Sequence, residues 1–347
     1  MSSEVVDNSC DREPIHSVRR AWAVQAVQEL MIQQKLVLSF SRAFPPVRNL
    51  QRNIVCVAAQ SFSTAPDRAS LLAEPDEVAS SDDQVVVDCC ALGAYRRAHI
   101  PGAVRLPLDI YLKDETTASK GFLGFSIGAD AVAELCAQLG IGADTPVVCY
   151  DDTNSLAACR FWWVLSYFGH ANVRVLNGGW HRWATEGRRF DFHASRPSQP
   201  SGEQFVPNPD PGMLATAEQL VSALDARGKL QVVDARSNGE YAGTDLRGNP
   251  RGGHLPGAAH VEWTDLITSD DRRTFRDNAD IAAILEEAGL DLAAEAPPIV
   301  TYCQGGIRAA HTAFALALLG CEAKNYDGSF GEWSRLDGAP LEGGSDL

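Results

Sequence analysis

No run of about 18 apolar residues occurs in the 347-residue chain, so no segment is long enough to cross a bilayer as a helix, and no membrane partner is expected. Positive charge is scarce: 30 Lys and Arg stand against 45 Asp and Glu, for a formal net charge of −15. A nucleic-acid binder gathers basic side chains on one face to neutralise phosphates, so nucleic acid is not an expected partner either. Cys and His never cluster at metal-ligand spacing, which removes a metal site, and no other cofactor is expected. The nine cysteines are odd in number and irregularly spaced, and Cys89-Cys90 are too close for a comfortable disulfide, so free thiols in a reducing compartment fit best. What is present is a 45% hydrophobic composition at a length that suits two ordinary domains.

A more local absence marks the N-terminal region. From Met31 to Pro66 there is no Asp or Glu, while Lys35, Arg42, Arg48 and Arg52 interleave with Leu36, Val37, Leu38, Phe40 and Phe44, followed by Ser61, Ser63 and Thr64. Basic, serine-containing, amphipathic and acid-free is the composition of an organelle transit peptide. Residues 1–66 are therefore expected to be a targeting extension, most simply for the mitochondrion, with a cytoplasmic protein carrying an acid-poor tail as the alternative. Met31 is an alternative start, since Glu4, Asp7, Asp11 and Glu13 suit a presequence poorly.

Beyond residue 66 the chain repeats itself, a signal that decides architecture. Val86-Val87-Asp88, Tyr95 and His99-Ile100-Pro101-Gly102-Ala103 recur as Val232-Val233-Asp234, Tyr241 and His254-Leu255-Pro256-Gly257-Ala258. Further on, Pro146-Val147-Val148-Cys149-Tyr150-Asp151 matches Pro298-Ile299-Val300-Thr301-Tyr302-Cys303, and Asn177-Gly178-Gly179 with Trp183 matches Asp327-Gly328-Ser329 with Trp333. Short β-branched runs read as buried parallel strands, and Leu156 to Phe168 and Ala309 to Leu319 read as helices between them. The expected fold is α/β, with two copies over 67–195 and 213–347. The proline-dense stretch 196–212 serves as an extended connector.

The chemistry gathers in the second copy. The strand ending at Tyr302 runs into Cys303-Gln304-Gly305-Gly306-Ile307-Arg308 and directly on into a helix. Such a junction surrounds the sulfur with loop N–H groups and the positive end of the helix dipole, which favours a thiolate and equally the anion of a persulfide. Two glycines let the backbone curl, and Arg308 adds a cation within reach. The competing reading makes Cys303 one more small buried hydrophobe.

His254-Leu255-Pro256-Gly257-Ala258, the Asp234-Ala235-Arg236 strand end with Glu240-Tyr241, and Thr301 to Ala309 together resemble the rhodanese/mercaptopyruvate sulfurtransferase family, over roughly residues 70–340. The resemblance implies two tandem rhodanese-like domains, each a parallel sheet flanked by helices. It also implies a sulfurtransferase that carries sulfane sulfur on Cys303 from thiosulfate or 3-mercaptopyruvate to a thiol, cyanide or a thioredoxin-like acceptor. The first copy has Asp151 where the second has Cys303, so it would be inert and would shape the substrate site. Arg160, just ahead of Trp162-Trp163, would hold the anionic end of the donor together with Arg308, a task that suits a planar guanidinium. Arg236 would support the loop. Trp162 and Trp163 read as core residues, and His99 and His254 as turn-holding or catalytic.

The loop lacks the basic residues that follow the cysteine in thiosulfate-preferring members and the small hydroxyl-bearing loop of mercaptopyruvate-preferring ones, so donor preference is open. A cysteine phosphatase would need five residues between Cys and Arg; here there are four, Gln304 to Ile307. A non-enzymatic binding module is the other rival. If the N-terminal reading is right, protein isolated from its native cell begins near Ser63 on N-terminal sequencing; a mature chain beginning at Met1 or Met31 contradicts it.

Overall fold

The computed structural model describes residues 68–107, 112–118, 122–197, 202–224 and 230–344, all of which fall within one compact unit. The targeting extension expected over 1–66 lies outside the described residues. Strands β1 (Leu72–Ala73), β2 (Val85–Asp88), β3 (Val104–Arg105), β4 (Val147–Tyr150) and β5 (Val173–Leu176) form one sheet in the order β1-β5-β4-β2-β3. Strands β6 (Leu214–Ala215), β7 (Gln231–Asp234), β8 (Ala259–His260), β9 (Ile299–Tyr302) and β10 (Ala323–Tyr326) repeat that order as β6-β10-β9-β7-β8. Every pairing is parallel, and the central strands β4 and β9 are buried along their whole length, as sheets covered on both faces require. The expected tandem α/β architecture is the observed one.

The flanking helices include α1 (Ala129–Leu139), α2 (Leu156–Tyr167), α3 (Asn278–Glu287) and α4 (Ile307–Leu318). Helix α1 stops at Gly140, which takes the left-handed conformation (φ 76°) that a side chain would resist. Asp277 starts α3 by accepting the Asp280 N–H at 2.8 Å. Helix α4 begins two residues earlier than periodicity suggests, because Gly306, at φ 83°, already serves as its N-cap. Within the proline-dense connector Gln204 bridges Gly142 and Phe205 packs on His170 with ring centroids 5.2 Å apart, while its end is not extended: Pro211–Met213 form a 3-10 turn capped by Asp210.

Both His-x-Pro-Gly-Ala turns are built alike. His99 Nδ1 donates to the Tyr95 carbonyl (2.7 Å) and the imidazole stacks on that tyrosine; His254 Nδ1 donates to the Tyr241 carbonyl (2.9 Å) with the same stacking. Tyr302, at the end of β9, donates its hydroxyl to Asp234 Oδ2 (2.5 Å) and accepts the Leu255 N–H, and Tyr150 does the same for Asp88 and Ile100. The two histidines therefore fix turns, and each turn is tied to the strand that leads into the copy's central loop.

Helices α2 and α4 pack on one another across the two copies, with Trp162 edge-on to Phe314 at 4.8 Å, so one hydrophobic cluster runs through both sheets' inner faces. Trp162 and Trp163 are core residues, as expected. His311, on α4, is buried between Phe275 (4.8 Å, stacked) and Trp263 (5.1 Å, edge-on), and burial lowers its pKa to about 3 against the opposing effect of the Asn154 backbone. The unfolded chain binds this proton from about pH 6.5 downward, whereas the folded chain does not until about pH 3, so stability falls as pH drops through that window. The variant His311→Phe should lose less stability between about pH 7 and pH 5 than the natural chain. Urea midpoints at the two pH values check this, and equal losses would refute it.

Candidate active site

Cys303 sits where β9 hands over to α4 and is 1% exposed. Its N–H donates to Ser329 Oγ (3.1 Å), its carbonyl accepts the Phe330 N–H (2.9 Å), and the next carbonyl, of Gln304, accepts the Gly331 N–H (2.9 Å). The sulfur itself accepts the Gly306 N–H at 3.1 Å, at the N-terminal end of α4. Gly306 is required twice over: its φ is positive, and a Cβ there would collide with Asp327 Oδ1. At Gly305 a Cβ would lie 2.8 Å from Leu123 Cδ1, so a side chain of the first copy rests directly on the loop. Phe122 of the same segment lies beside Gly331.

The corresponding loop of the first copy explains why that copy lacks a nucleophile. Asp151 replaces Cys303, and its carboxylate accepts N–H bonds from Thr153 (2.7 Å), Ser155 (2.9 Å) and Ala158 (2.8 Å). Its carbonyl accepts the Trp180 N–H just as that of Cys303 accepts the Phe330 N–H. Burial pushes the Asp151 carboxyl up and the N–H bonds pull it down. Burial prevails and the carboxyl is raised, so the same strand–loop–helix cradle holds a carboxyl group in one copy and a sulfur in the other.

The expected cations are all engaged. Arg308 forms a two-pronged pair with Glu240, at 2.6 and 2.8 Å; burial would raise the Glu240 carboxyl, but Arg308 and Ser237 outweigh it and hold the pKa at about 2. Arg308 therefore braces the start of α4 against Glu240. Arg236 holds both oxygens of Asp234 and the Gly253 carbonyl, and lies at 3.9 Å over the ring of Phe330, the residue whose N–H bonds the Cys303 carbonyl. Arg160 does reach from the first copy into the second, where Nη1 meets Asp327 Oδ1 at 2.8 Å with the side chain fully buried. Lys113 joins the same carboxylate, with Nζ 2.8 Å from Oδ1 and 3.0 Å from the Asp327 carbonyl oxygen, while the Ser126 N–H donates to Oδ2 at 2.7 Å. Gln304 points away from the sulfur and exchanges two amide hydrogen bonds with Asn249. Ile307 is buried in the first turn of α4. Among the described residues no group of His, Cys, Asp and Glu could hold a metal.

A rhodanese-like domain profile matches this chain twice, over residues 71–186 and 216–336. The chain belongs to the rhodanese-like family. It is 34% identical over 277 residues to a thiosulfate sulfurtransferase of Corynebacterium glutamicum, covering 77% of this chain and 84% of that one. To the sulfur carrier protein TtuD of Thermus thermophilus it is 34% identical over 265 residues, 73% and 88% of the two chains. A thiosulfate sulfurtransferase of Cricetulus griseus is 33% identical over 245 residues, 69% of this chain and 78% of that one. Among solved structures, EanB in complex with ergothioneine superposes with a TM-score of 0.65 at 24% identity; the match covers 77% of this chain and 66% of that one, and it speaks for the fold alone.

Within this rhodanese pair, several residues at the site escaped the sequence reading. Lys113, Ser126, Phe122 and Leu123 lie between Leu106 and Ala129, a stretch with no residue-by-residue match in the second copy, so the repeat gave no reason to inspect it. Asp327 was visible as the counterpart of Asn177, and that exchange of charge within an otherwise repeated turn was the signal that could have singled it out. Glu240 belongs to the strand-end motif that carries the resemblance, but with no role attached to it, and Asn249 carried no comparable signal.

Gly306→Ala should destabilise the chain by at least about 1–3 kcal/mol and displace the N–H that reaches the sulfur. Chemical denaturation together with the rate of thiol alkylation checks this; stability and alkylation both unchanged would show that the loop tolerates the side chain.

Proposed function

We propose that this chain is a thiosulfate sulfurtransferase that carries the transferred sulfur on Cys303 as a persulfide. The observation that carries the reading is the Gly306 N–H aimed at the sulfur in a cradle whose counterpart binds the Asp151 carboxylate. A pocket that accommodates a carboxylate in one copy suits a sulfur anion in the other. The thiosulfate sulfurtransferases among the relatives support the donor, and the sulfur carrier protein supports the carrier role.

In the first half-reaction the Cys303 thiolate attacks the outer sulfur of thiosulfate; the S–S bond of the donor breaks and sulfite leaves with its electron pair. In the second, a thiol or cyanide attacks the outer sulfur of the persulfide and the cysteine thiolate departs with the electron pair, restoring the starting state. The loop N–H groups stabilise the sulfur anion present before and after each transfer. Arg160 acts on the donor through the charge cluster at Asp327, and Arg308 keeps the first turn of α4 fixed by holding Glu240.

Incubating the protein with thiosulfate should add the mass of one sulfur atom, which cyanide removes; Cys303→Ser should gain nothing while keeping its fold. A loaded Cys303→Ser protein would refute the assignment. Parallel incubation with 3-mercaptopyruvate tests the donor, and faster loading from it would replace thiosulfate in the reading. Hydrolysis of an aryl phosphate by the unloaded enzyme would favour the phosphatase alternative instead.

A further inference from the structure

We propose that Lys113, supplied by the copy that lacks the nucleophile, is a positioning residue for sulfur loading: it holds Asp327 against Gly306 and gives that contact a surplus of positive charge beside Cys303. The inference rests on the persulfide reading above and adds a residue to it.

The two copies close on each other in a matched way. In the active half, Lys113 bridges Ser126, and the Ser126 N–H donates to Asp327 at 2.7 Å. In the other half, Ile267 bridges Phe275, and the Phe275 N–H donates to Asn177 at 3.1 Å. Arg160, the fifth residue of α2, meets Asp327, while His311, the fifth residue of α4, stacks on Phe275. Lys113, Arg160 and Asp327 on the side of Cys303 thus correspond to Ile267, His311 and Asn177 on the side of Asp151. The backbone arrangement occurs on both sides and the charged trio on one, so closing the copies together does not by itself require the charges.

A buried carboxylate next to the sulfur loop would oppose formation of a sulfur anion, and one cation would merely cancel it. Two cations leave the trio of Lys113, Arg160 and Asp327 with a net positive charge. The side chains of Lys113, Arg160 and Asp327 are 7%, 0% and 1% exposed, so this charge is weakly screened. The mechanical link is equally short: Lys113 holds Asp327, Asp327 abuts Gly306, and the Gly306 N–H reaches the sulfur.

The charged and titratable groups facing Lys113 are Asp327, Arg160, Cys303 and Glu332. Burial pushes the Glu332 carboxyl up, against the opposing effect of its Tyr326 hydrogen bond. Burial also lowers the Lys113 pKa to about 8, despite the opposing pull of Asp327, so the ammonium begins to lose its proton in a pH range accessible to kinetics.

The test is single-turnover loading by thiosulfate, followed by intact mass and sulfite release from about pH 6 to pH 10, a range that spans the ordinary and lowered lysine values. Lys113→Met should cut the second-order loading rate at neutral pH by about tenfold, in line with loss of one charged contact. Lys113→Arg should keep the rate within about threefold, and the decline of the natural chain above about pH 8 should be shifted upward or abolished, because a guanidinium does not titrate there. Loading by Lys113→Met within about twofold of the natural chain, or identical pH profiles for the natural chain and Lys113→Arg, overturns the inference. The second comparison decides the matter even if Lys113→Met does not fold. Failure of the natural chain to take up sulfur would instead defeat the persulfide reading itself.

Discussion

The buried carboxylate of Asp327 is the constraint on which the arrangement of the active half depends. An isolated buried charge costs several kcal/mol, so it is stable only among partners that are themselves fixed. Those partners are Lys113, Arg160 and the Ser126 N–H, all from the first copy, while Asp327 itself lies in the second and touches Gly306. Separating the copies would leave an acid without its bases and two bases without their acid. The copy with Asp151 in its loop is thereby bound to the one with Cys303, at the point where their contact abuts the loop around the Cys303 sulfur.

The duplicated fold divides its labour by small exchanges on a shared frame. Both copies keep the strand, the tyrosine-tied turn, the left-handed N-cap residue and the N–H bond to the carbonyl of the loop's first residue. With Asp151 at that position three N–H groups converge on an internal carboxylate and are taken up by it. With Cys303 at that position the Gly306 N–H goes to a sulfur instead. Neither residue alters the sheet order, so one fold accommodates both loops.

Much of this was legible in the sequence because duplication lets one copy interpret the other. The repeated strands gave the two sheets, and the Asp151/Cys303 exchange singled out the loop between β9 and α4. Cross-copy pairings were harder to read, since spacing along a chain says nothing about which side chain of one domain meets which of another. Arg160 could be expected to reach over, but not that it would find Asp327 there. Arg308 could be placed near the sulfur, but its pairing with Glu240 depends on how the short helix Asn238–Tyr241 is set against α4. The covering segment around Lys113 was opaque for a simpler reason: its two versions share bridges and N–H bonds but not residue types, so the likeness lives in the backbone.

Seven cysteines lie among the described residues, and burial does not distinguish Cys303 from the rest, because most are as deeply enclosed. The direction of hydrogen bonding does. Cys149, one residue before the end of β4, points its thiol at the Ala158 and Arg174 carbonyls, so its surroundings reward the proton that a nucleophile must lose. Burial pushes its thiol up, as it does those of Cys89, Cys90, Cys136, Cys159 and Cys321. Cys303 stands two positions further along the repeat, at the turn into the helix, where its sulfur accepts an N–H. A carbonyl environment favours the protonated thiol, so Cys149 within the strand and Cys303 at its end differ in the direction of the hydrogen bond at sulfur and not in burial.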